Sequence, residues 1–246
     1  MKITFSALKD SLTPEKKASD GTLSRFLFRP LAIPVSWFFL HLSFSANMVS
    51  YLGAVVCLVA LMLTLFPFPV FHIIASLLFI LFAVLDCADG TMARVSPSKN
   101  PWGSFIDAMA GYIAYATLLI SLGLSAFYFN QSGASVFTSF YQRLPLGSGF
   151  WIFLSALSAL SNILMRLLYH AFREARQDLG PRAKQTKAPG KRLSEEIGVT
   201  GYLPILYLLS LIGGFTSIIV ILYTIVYGGG CLAVIARMIR EVESSK

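Results

Sequence analysis

The sequence predicts an all-α membrane protein: a polytopic bundle of about six transmembrane helices preceded by an interfacial helix. Of its 246 residues, 56% are hydrophobic and only 13% are charged. A soluble fold of this size could not bury so much apolar surface. The hydrophobic residues also form runs of roughly 15 to 26 residues, the length that a helix needs to cross a bilayer.

Six apolar runs predict the transmembrane helices. They cover residues 46–66, 69–91, 103–128, 148–172, 199–213 and 216–238. Pro67 and Pro69 leave only a tight turn between the first two runs, because proline interrupts a helix. The fifth run is the shortest of the six.

The stretch from Leu23 to Leu42 is also apolar, but two arginines and two prolines interrupt it. We interpret it as an interfacial helix along the lipid headgroups, with Trp37 as an anchor. A seventh span is the alternative interpretation. The predicted organisation is a cytoplasmic segment with the interfacial helix at 1–44, a six-helix transmembrane domain at 45–240 and a cytoplasmic tail at 241–246.

Lysine and arginine cluster before the first run and after the second, fourth and sixth runs, whereas the long connection at 129–147 contains only Arg143. Because basic residues favour the cytoplasmic side, both termini are expected in the cytoplasm. The net charge of +8 is explained by these topology signals and by contacts with membrane phospholipids. We therefore expect no nucleic-acid partner.

Three aspartates lie at the predicted cytoplasmic ends of the second and third spans: Asp86, Asp89 and Asp107. An ionised carboxylate near lipid is costly unless a partner or water compensates it. Asp86 and Asp89 are three residues apart and share a helix face, and Asp107 can reach them across a short connection. Converging carboxylates repel one another. An all-oxygen group of this kind predicts a site for Mg²⁺ or Mn²⁺.

Small residues accompany these acids. Gly90, Ala93 and Gly103 would let a flat base or a pyrophosphate approach the helix backbone closely. Arg94 adds a fixed positive charge that can pair with a phosphate. Ion transport is a weaker alternative, because the acids lie at one side of the membrane and no series of intramembrane charges continues from them.

These residues resemble the signature of the CDP-alcohol phosphotransferase family, in the form Asp86-x-x-Asp89-Gly90-x-x-Ala93-Arg94 followed by Gly103-x-x-x-Asp107. The segment Ser45–Ser50 resembles the P-N-x-x-T pattern with which the family's first span begins. The resemblance implies an integral membrane enzyme of six spans. In its reaction a hydroxyl attacks the β-phosphorus of a CDP-linked alcohol, which releases CMP and leaves a phosphodiester.

The resemblance also implies roles for individual residues. Asp86, Asp89 and Asp107 would hold Mg²⁺ or Mn²⁺, and Asp107 is the catalytic candidate with assistance from the metal. The nucleotide-binding candidates are Asn47, Gly90, Ala93, Arg94 and Gly103. A helix cap or a headgroup contact is the alternative role for Asn47. The implied partners are a CDP-linked donor, a lipid or polar alcohol acceptor, and a second copy of the chain in a homodimer.

Basic residues at the end of the fourth span form a weaker candidate. Arg166 lies within the span and Arg173 follows it. Both could bind the phosphate of the acceptor or of a lipid headgroup. Two alternatives explain these residues equally well. Arg166 could extend toward the headgroups, and the basic residues at this end could be positive-inside topology signals.

Gly111 departs from the family pattern, which has a fourth aspartate at this position as a metal ligand and proposed general base. The metal alone could activate the acceptor, Tyr112 or His170 could replace the base, or the acceptor could already be ionised. Gly111 could also make room for an unusual acceptor. The alternative to an enzyme is a weak or inactive member that binds CDP-linked lipid and metal; the sequence favours the enzyme.

Overall fold

The protein is described by a computed structural model that covers residues 5–13, 20–96, 100–129, 147–178 and 196–244. The helices in these ranges are α1 (Phe5–Asp10), α2 (Arg29–His41), α3 (Ala46–Thr64), α4 (Pro69–Val95), α5 (Gly103–Phe129), α6 (Phe150–Asp178), α7 (Leu203–Gly213) and α8 (Thr216–Ser244). No strand occurs within them. Most of the predicted connection at 129–147, including Arg143, and most of the basic segment after the fourth span lie outside the described residues.

Five of these helices, α3, α4, α5, α6 and α8, are long and apolar enough to cross a membrane. The predicted all-α membrane fold is therefore confirmed. The fifth predicted span, 199–213, is helical only from Leu203, and α7 has 11 residues. At 1.5 Å per residue its length is about 16 Å, roughly half the thickness of the hydrocarbon layer.

Several helices continue beyond the predicted ends of the spans. α4 extends to Val95, α6 to Asp178 and α8 to Ser244. Hydropathy marks only the part of a helix that suits lipid, whereas the helix itself continues until a cap or a breaker ends it. The residues that follow Asp89 on α4, including Arg94, therefore have helical backbone.

The predicted helix before the first span is present. A π-helical turn at Ser24–Phe28 leads directly into α2. Phe28, Ala32 and Ser36 recur every four residues and are buried, so they form the face that packs against the protein. Large apolar side chains, including Phe26 and Trp37, are exposed. This exposure agrees with the predicted interfacial position, because such side chains would contact lipid.

The described chain forms two compact units. The first contains the described residues up to Leu118 and those from 196 to Ile212. Within it, α3 and α2 both pack against α4. The core of this contact joins Phe28 and Ala32 to a run of small and medium side chains on α4, namely Ala83, Val84, Cys87 and Ala88.

The second unit contains the described residues from Leu119 to Asp178 and from Gly213 onward. α6 packs against α8, and Thr224 Oγ1 donates a hydrogen bond to the Leu154 carbonyl oxygen at 3.1 Å. On α5, a Cβ added to Gly123 would lie 2.9 Å from the Trp151 carbonyl oxygen. A small residue is therefore needed where α5 meets α6, as is common between membrane helices.

Gly53 gives a test of the packing between α3 and α4. A Cβ at Gly53 would lie 3.1 Å from Cδ2 of Phe82, which leaves little room for a side chain. We expect Gly53→Leu to destabilise the protein by about 1–3 kcal/mol through overpacking, measured by unfolding in detergent. Gly228→Leu on α8 is the matched control, because no neighbouring atom in the described part of the chain lies within 4 Å of its Cβ position. Equal losses in both variants would contradict close packing at Gly53.

Candidate active site

The three predicted acids lie at the adjoining ends of two consecutive helices. Asp86 and Asp89 are near the C-terminal end of α4, and Asp107 is in the second turn of α5. Asp89 interacts electrostatically with both Asp86 and Asp107. Asp89 therefore lies within electrostatic range of both other acids, on the adjoining ends of α4 and α5.

The three acids differ in exposure. Asp89 is only 6% exposed, whereas Asp86 is half-buried and Asp107 is exposed. The Ser50 hydroxyl donates a hydrogen bond to Oδ2 of Asp89, and the Gly90 backbone N–H supports the same carboxylate. Because Ser50 belongs to α3, this bond fixes the orientation of Asp89 relative to two helices.

The acids fit a divalent cation in their chemistry. Among the described residues, no three His, Cys, Asp or Glu side chains already form a compact metal-binding group. Mg²⁺ commonly takes only one or two protein carboxylates and completes its octahedron with water and substrate phosphates. Such an ion stabilises a buried carboxylate beside two like charges most strongly. Its positive charge offsets both the repulsion between the carboxylates and the cost of removing the buried carboxylate from water.

Two of the predicted nucleotide-binding residues meet at the start of α3 and α5. Oδ1 of Asn47 lies 3.8 Å from the position that a Cβ of Gly103 would occupy. Ser45, rather than Asn47, caps α3, because its side chain accepts a hydrogen bond from the Met48 N–H at 3.3 Å. The amide of Asn47 therefore lies beside Gly103 and is not the helix cap.

The remaining nucleotide-binding candidates lie on the last turns of α4. Nη1 of Arg94 lies 3.6 Å from the position that a Cβ of Gly90 would occupy. Nη2 of Arg94 donates a hydrogen bond to Thr91 Oγ1 at 3.0 Å, which holds the guanidinium beside the glycine. Ala93 is exposed. A glycine, a small exposed residue and a cation thus lie next to the acids.

Gly111 lies on α5 four residues after Asp107, and therefore on the same face. It is half-buried, and no neighbouring atom of the described chain lies within 4 Å of its Cβ position. The site where the family pattern has an aspartate consequently has room for a larger side chain. Tyr112, a predicted substitute for the base, follows it and is half-buried.

The basic candidates lie on α6 in the second unit. Arg166 is half-buried, and its Nε donates a hydrogen bond to Asn162 Oδ1 at 3.1 Å. His170 is exposed one turn further along. Arg173 belongs to the same helix, and its side chain is outside the described structure.

The sequence did not identify the polar contacts that α2 makes with α4. Nε and Nη2 of Arg29 donate to the Asp20 carboxylate at 2.8 and 3.1 Å, and Nη1 donates to the Cys87 carbonyl oxygen at 3.3 Å. Burial alone would lower the pKa of Arg29, but the Asp20 hydrogen bond and nearby negative charges outweigh it and raise this pKa. An arginine inside an apolar stretch was the available signal, since such a charge needs a partner.

The sequence matches one protein family over most of its length. The family model described as CDP-alcohol phosphatidyltransferase covers residues 43–227. The match includes all three acids, Gly111 and the whole of α3 to α7. No individually curated protein matches the sequence.

Ser50 tests whether the buried acid needs its hydroxyl partner. We expect Ser50→Ala to weaken Mn²⁺ binding by about 10- to 100-fold, because loss of a group that orients a metal ligand usually lowers metal affinity by this factor. Electron paramagnetic resonance titration of the purified protein in detergent would measure the affinity. Ser50→Thr keeps the hydroxyl and should bind Mn²⁺ like the native protein. Native affinity in Ser50→Ala would mean that this bond does not orient a ligand.

Proposed function

The chain belongs to the CDP-alcohol phosphatidyltransferase family, and we propose that it is a metal-dependent transferase that moves a phosphoryl-linked group from a CDP-activated donor to an alcohol. The family transfers phosphatidyl groups in lipid synthesis, and the apolar helices make this chain an integral membrane protein. The observation that carries the proposal is the adjoining group of Asp86, Asp89 and Asp107. CMP would be the second product.

Asp86, Asp89 and Asp107 would hold Mg²⁺ or Mn²⁺ together with the diphosphate of the donor. When bound, such an ion neutralises phosphate charge and makes the phosphorus more electrophilic. Asp89 would act as the fixed ligand, because Ser50 orients it. Asp107 is exposed and is therefore the acid that can approach the substrate, which supports its assignment as the catalytic residue.

We assign the cytidine diphosphate to the surface formed by Asn47, Gly90, Ala93, Arg94 and Gly103. Gly90 and Ala93 would let the base lie against α4. Arg94 would pair with a phosphate, and its hydrogen bond to Thr91 supports this assignment by limiting the motion of the guanidinium. Asn47 would supply an amide from the start of α3.

An apolar groove supports a donor with acyl chains. The groove has a volume of about 530 Å³ and is lined by Pro34, Val35, Phe38, Phe39, Leu52, Val56, Leu81 and Leu85. Leu85 lies one helical turn before Asp89 on the same face of α4, so an acyl chain in this groove would lie close to the acid-bearing segment of α4. CDP-diacylglycerol is the simplest substrate that joins acyl chains to cytidine diphosphate, and a CDP-linked headgroup is the alternative donor.

The remaining assignments rest on the sequence. Arg166 and Arg173 would bind the phosphate of the acceptor or of a lipid headgroup. The distribution of basic residues supports cytoplasmic termini, a cytoplasmic active site and contacts with membrane phospholipids. We further propose a homodimer and the organisation 1–44, 45–240 and 241–246.

Gly111 favours one further candidate, a family member that binds CDP-linked lipid and metal with little or no turnover. A missing general base typically lowers a rate by about 10² to 10⁴. The two candidates differ in one measurable respect. The transferase releases CMP when donor, alcohol and metal are supplied together, whereas the binding protein retains the donor.

Loss of either of two acids should abolish most of the activity. We expect Asp86→Asn and Asp107→Asn each to lower CMP release by at least about 100-fold, because the bound metal lowers the activation barrier by several kcal/mol. The assay would use CDP-diacylglycerol and a panel of alcohols with Mn²⁺, and mass spectrometry would identify the product. Chelation of the metal should have the same effect. Asp10→Asn, on the exposed face of α1, is the control; activity equal to native in all variants would refute the catalytic assignment.

Gly111→Asp tests whether proton removal limits the reaction. The open space at Gly111 accepts a side chain, and an added carboxylate next to Asp107 would supply a base. We expect faster CMP release, by up to about 10²-fold, with no gain in Gly111→Asn, which has nearly the same size and no base. An equal fall in both variants would instead mean that Gly111 provides room for the acceptor.

A further inference from the structure

Helix α2 contacts the backbone of α4 at the two residues between Asp86 and Asp89. Nη1 of Arg29 donates to the Cys87 carbonyl oxygen at 3.3 Å. Ser36 Oγ lies 3.1 Å from the Ala88 carbonyl oxygen and shares its one hydrogen between this oxygen and the closer Ala32 carbonyl oxygen of its own helix, at 2.7 Å. In an α-helix each carbonyl already accepts the N–H four residues later. The Cys87 carbonyl oxygen also accepts from Thr91 Oγ1 on α4 at 2.8 Å. The contacts from Arg29 and Ser36 are the ones that tie this segment to α2.

Asp20 holds Arg29 in the orientation that this contact needs. Its two carboxylate oxygens accept from Nε and Nη2, at 2.8 and 3.1 Å. The side chains of Arg29 and Asp20 are only 10% and 6% exposed. Because the guanidinium is planar and rigid, a carboxylate that occupies one edge also fixes the direction of Nη1. A lysine has no equivalent geometry.

We propose that the buried Asp20–Arg29 pair positions the acid-bearing segment of α4 for metal binding, an inference that rests on the proposed function. The pair acts through the Cys87 carbonyl, and both members are therefore positioning residues. Arg29 also interacts electrostatically with Asp86. The pair thus fixes the backbone between the two acids and places a permanent cation near one of them.

The segment that carries the pair is itself anchored. The N–H and Oγ1 of Thr22 donate to Oε1 of Glu196 at 2.9 and 2.7 Å. Ser24 Oγ donates to the Thr200 carbonyl oxygen. These bonds join residues 22–24 to the turn before α7, so Arg29 extends from a segment that is held on two sides. A positioning role requires such an anchor, because a loose arginine could not restrain α4.

Metal binding and turnover together test the inference. We would compare the native protein with Arg29→Lys, Asp20→Asn and the double variant Asp20→Asn/Arg29→Met. The double variant removes both charges at once, because a single buried charge without its partner can unfold a protein. Arg25→Lys is the matched control, since Arg25 is exposed on the same helical stretch. Each protein would be titrated with Mn²⁺ by electron paramagnetic resonance, assayed for CMP release and unfolded in detergent.

We expect the variants of the pair to bind Mn²⁺ about 10- to 100-fold more weakly than the native protein. Mutation of residues that orient metal ligands typically lowers metal affinity by this factor. Saturating Mn²⁺ should restore their kcat, and Arg25→Lys should match the native protein. Native Mn²⁺ affinity in a folded double variant would overturn the inference, as would a loss of kcat that excess Mn²⁺ leaves unchanged. A native protein that binds Mn²⁺ but releases no CMP would refute the transferase, while the titration would still decide the role of the pair.

Discussion

A carboxylate buried among apolar helices must be compensated, and the arrangement around Asp89 follows from that requirement. Desolvation of a charge is expensive, and the neighbouring carboxylates of Asp86 and Asp107 increase the cost. Ser50 and the Gly90 N–H offset part of it with hydrogen bonds. A divalent cation would offset the remainder. The meeting of α3, α4 and α5 at this carboxylate therefore ties the stability of the bundle to the chemistry of its site.

The sequence predicted the features that depend on local pattern. Apolar runs located the membrane helices, and the spacing of Asp86, Asp89 and Asp107 predicted that these acids would lie together. Contacts between residues distant in the chain were not predicted, because hydropathy carries no information about partners. Ser50 was recognised only as part of a pattern, and Arg29 only as a topology signal. The hydrogen bonds of Ser50 to Asp89 and of Arg29 to Asp20 are visible only in the three-dimensional structure.

Helix ends were also less predictable than helix centres. Hydropathy falls after residue 91, yet α4 continues to Val95. Helical hydrogen bonds form within the backbone and do not require apolar side chains. This extension matters chemically. Arg94 remains one helical turn after Gly90, so its guanidinium returns to the surface beside that glycine. A chain that left the helix at residue 91 would not have placed the cation there.

The shortness of α7 has a consequence for how this part of the chain meets the bilayer. A helix of 11 residues is too short to cross the hydrocarbon layer by itself, so any irregular backbone before it that meets lipid needs hydrogen-bond partners from the protein. The turn satisfies part of that demand internally, since the Tyr202 N–H donates to the Glu196 carbonyl oxygen at 2.7 Å. Ser24 supplies a donor to the Thr200 carbonyl from outside the turn. The N-terminal segment thus supplies a hydrogen bond to the irregular backbone before α7, and a chain truncated before α3 would leave the Thr200 carbonyl oxygen without this donor.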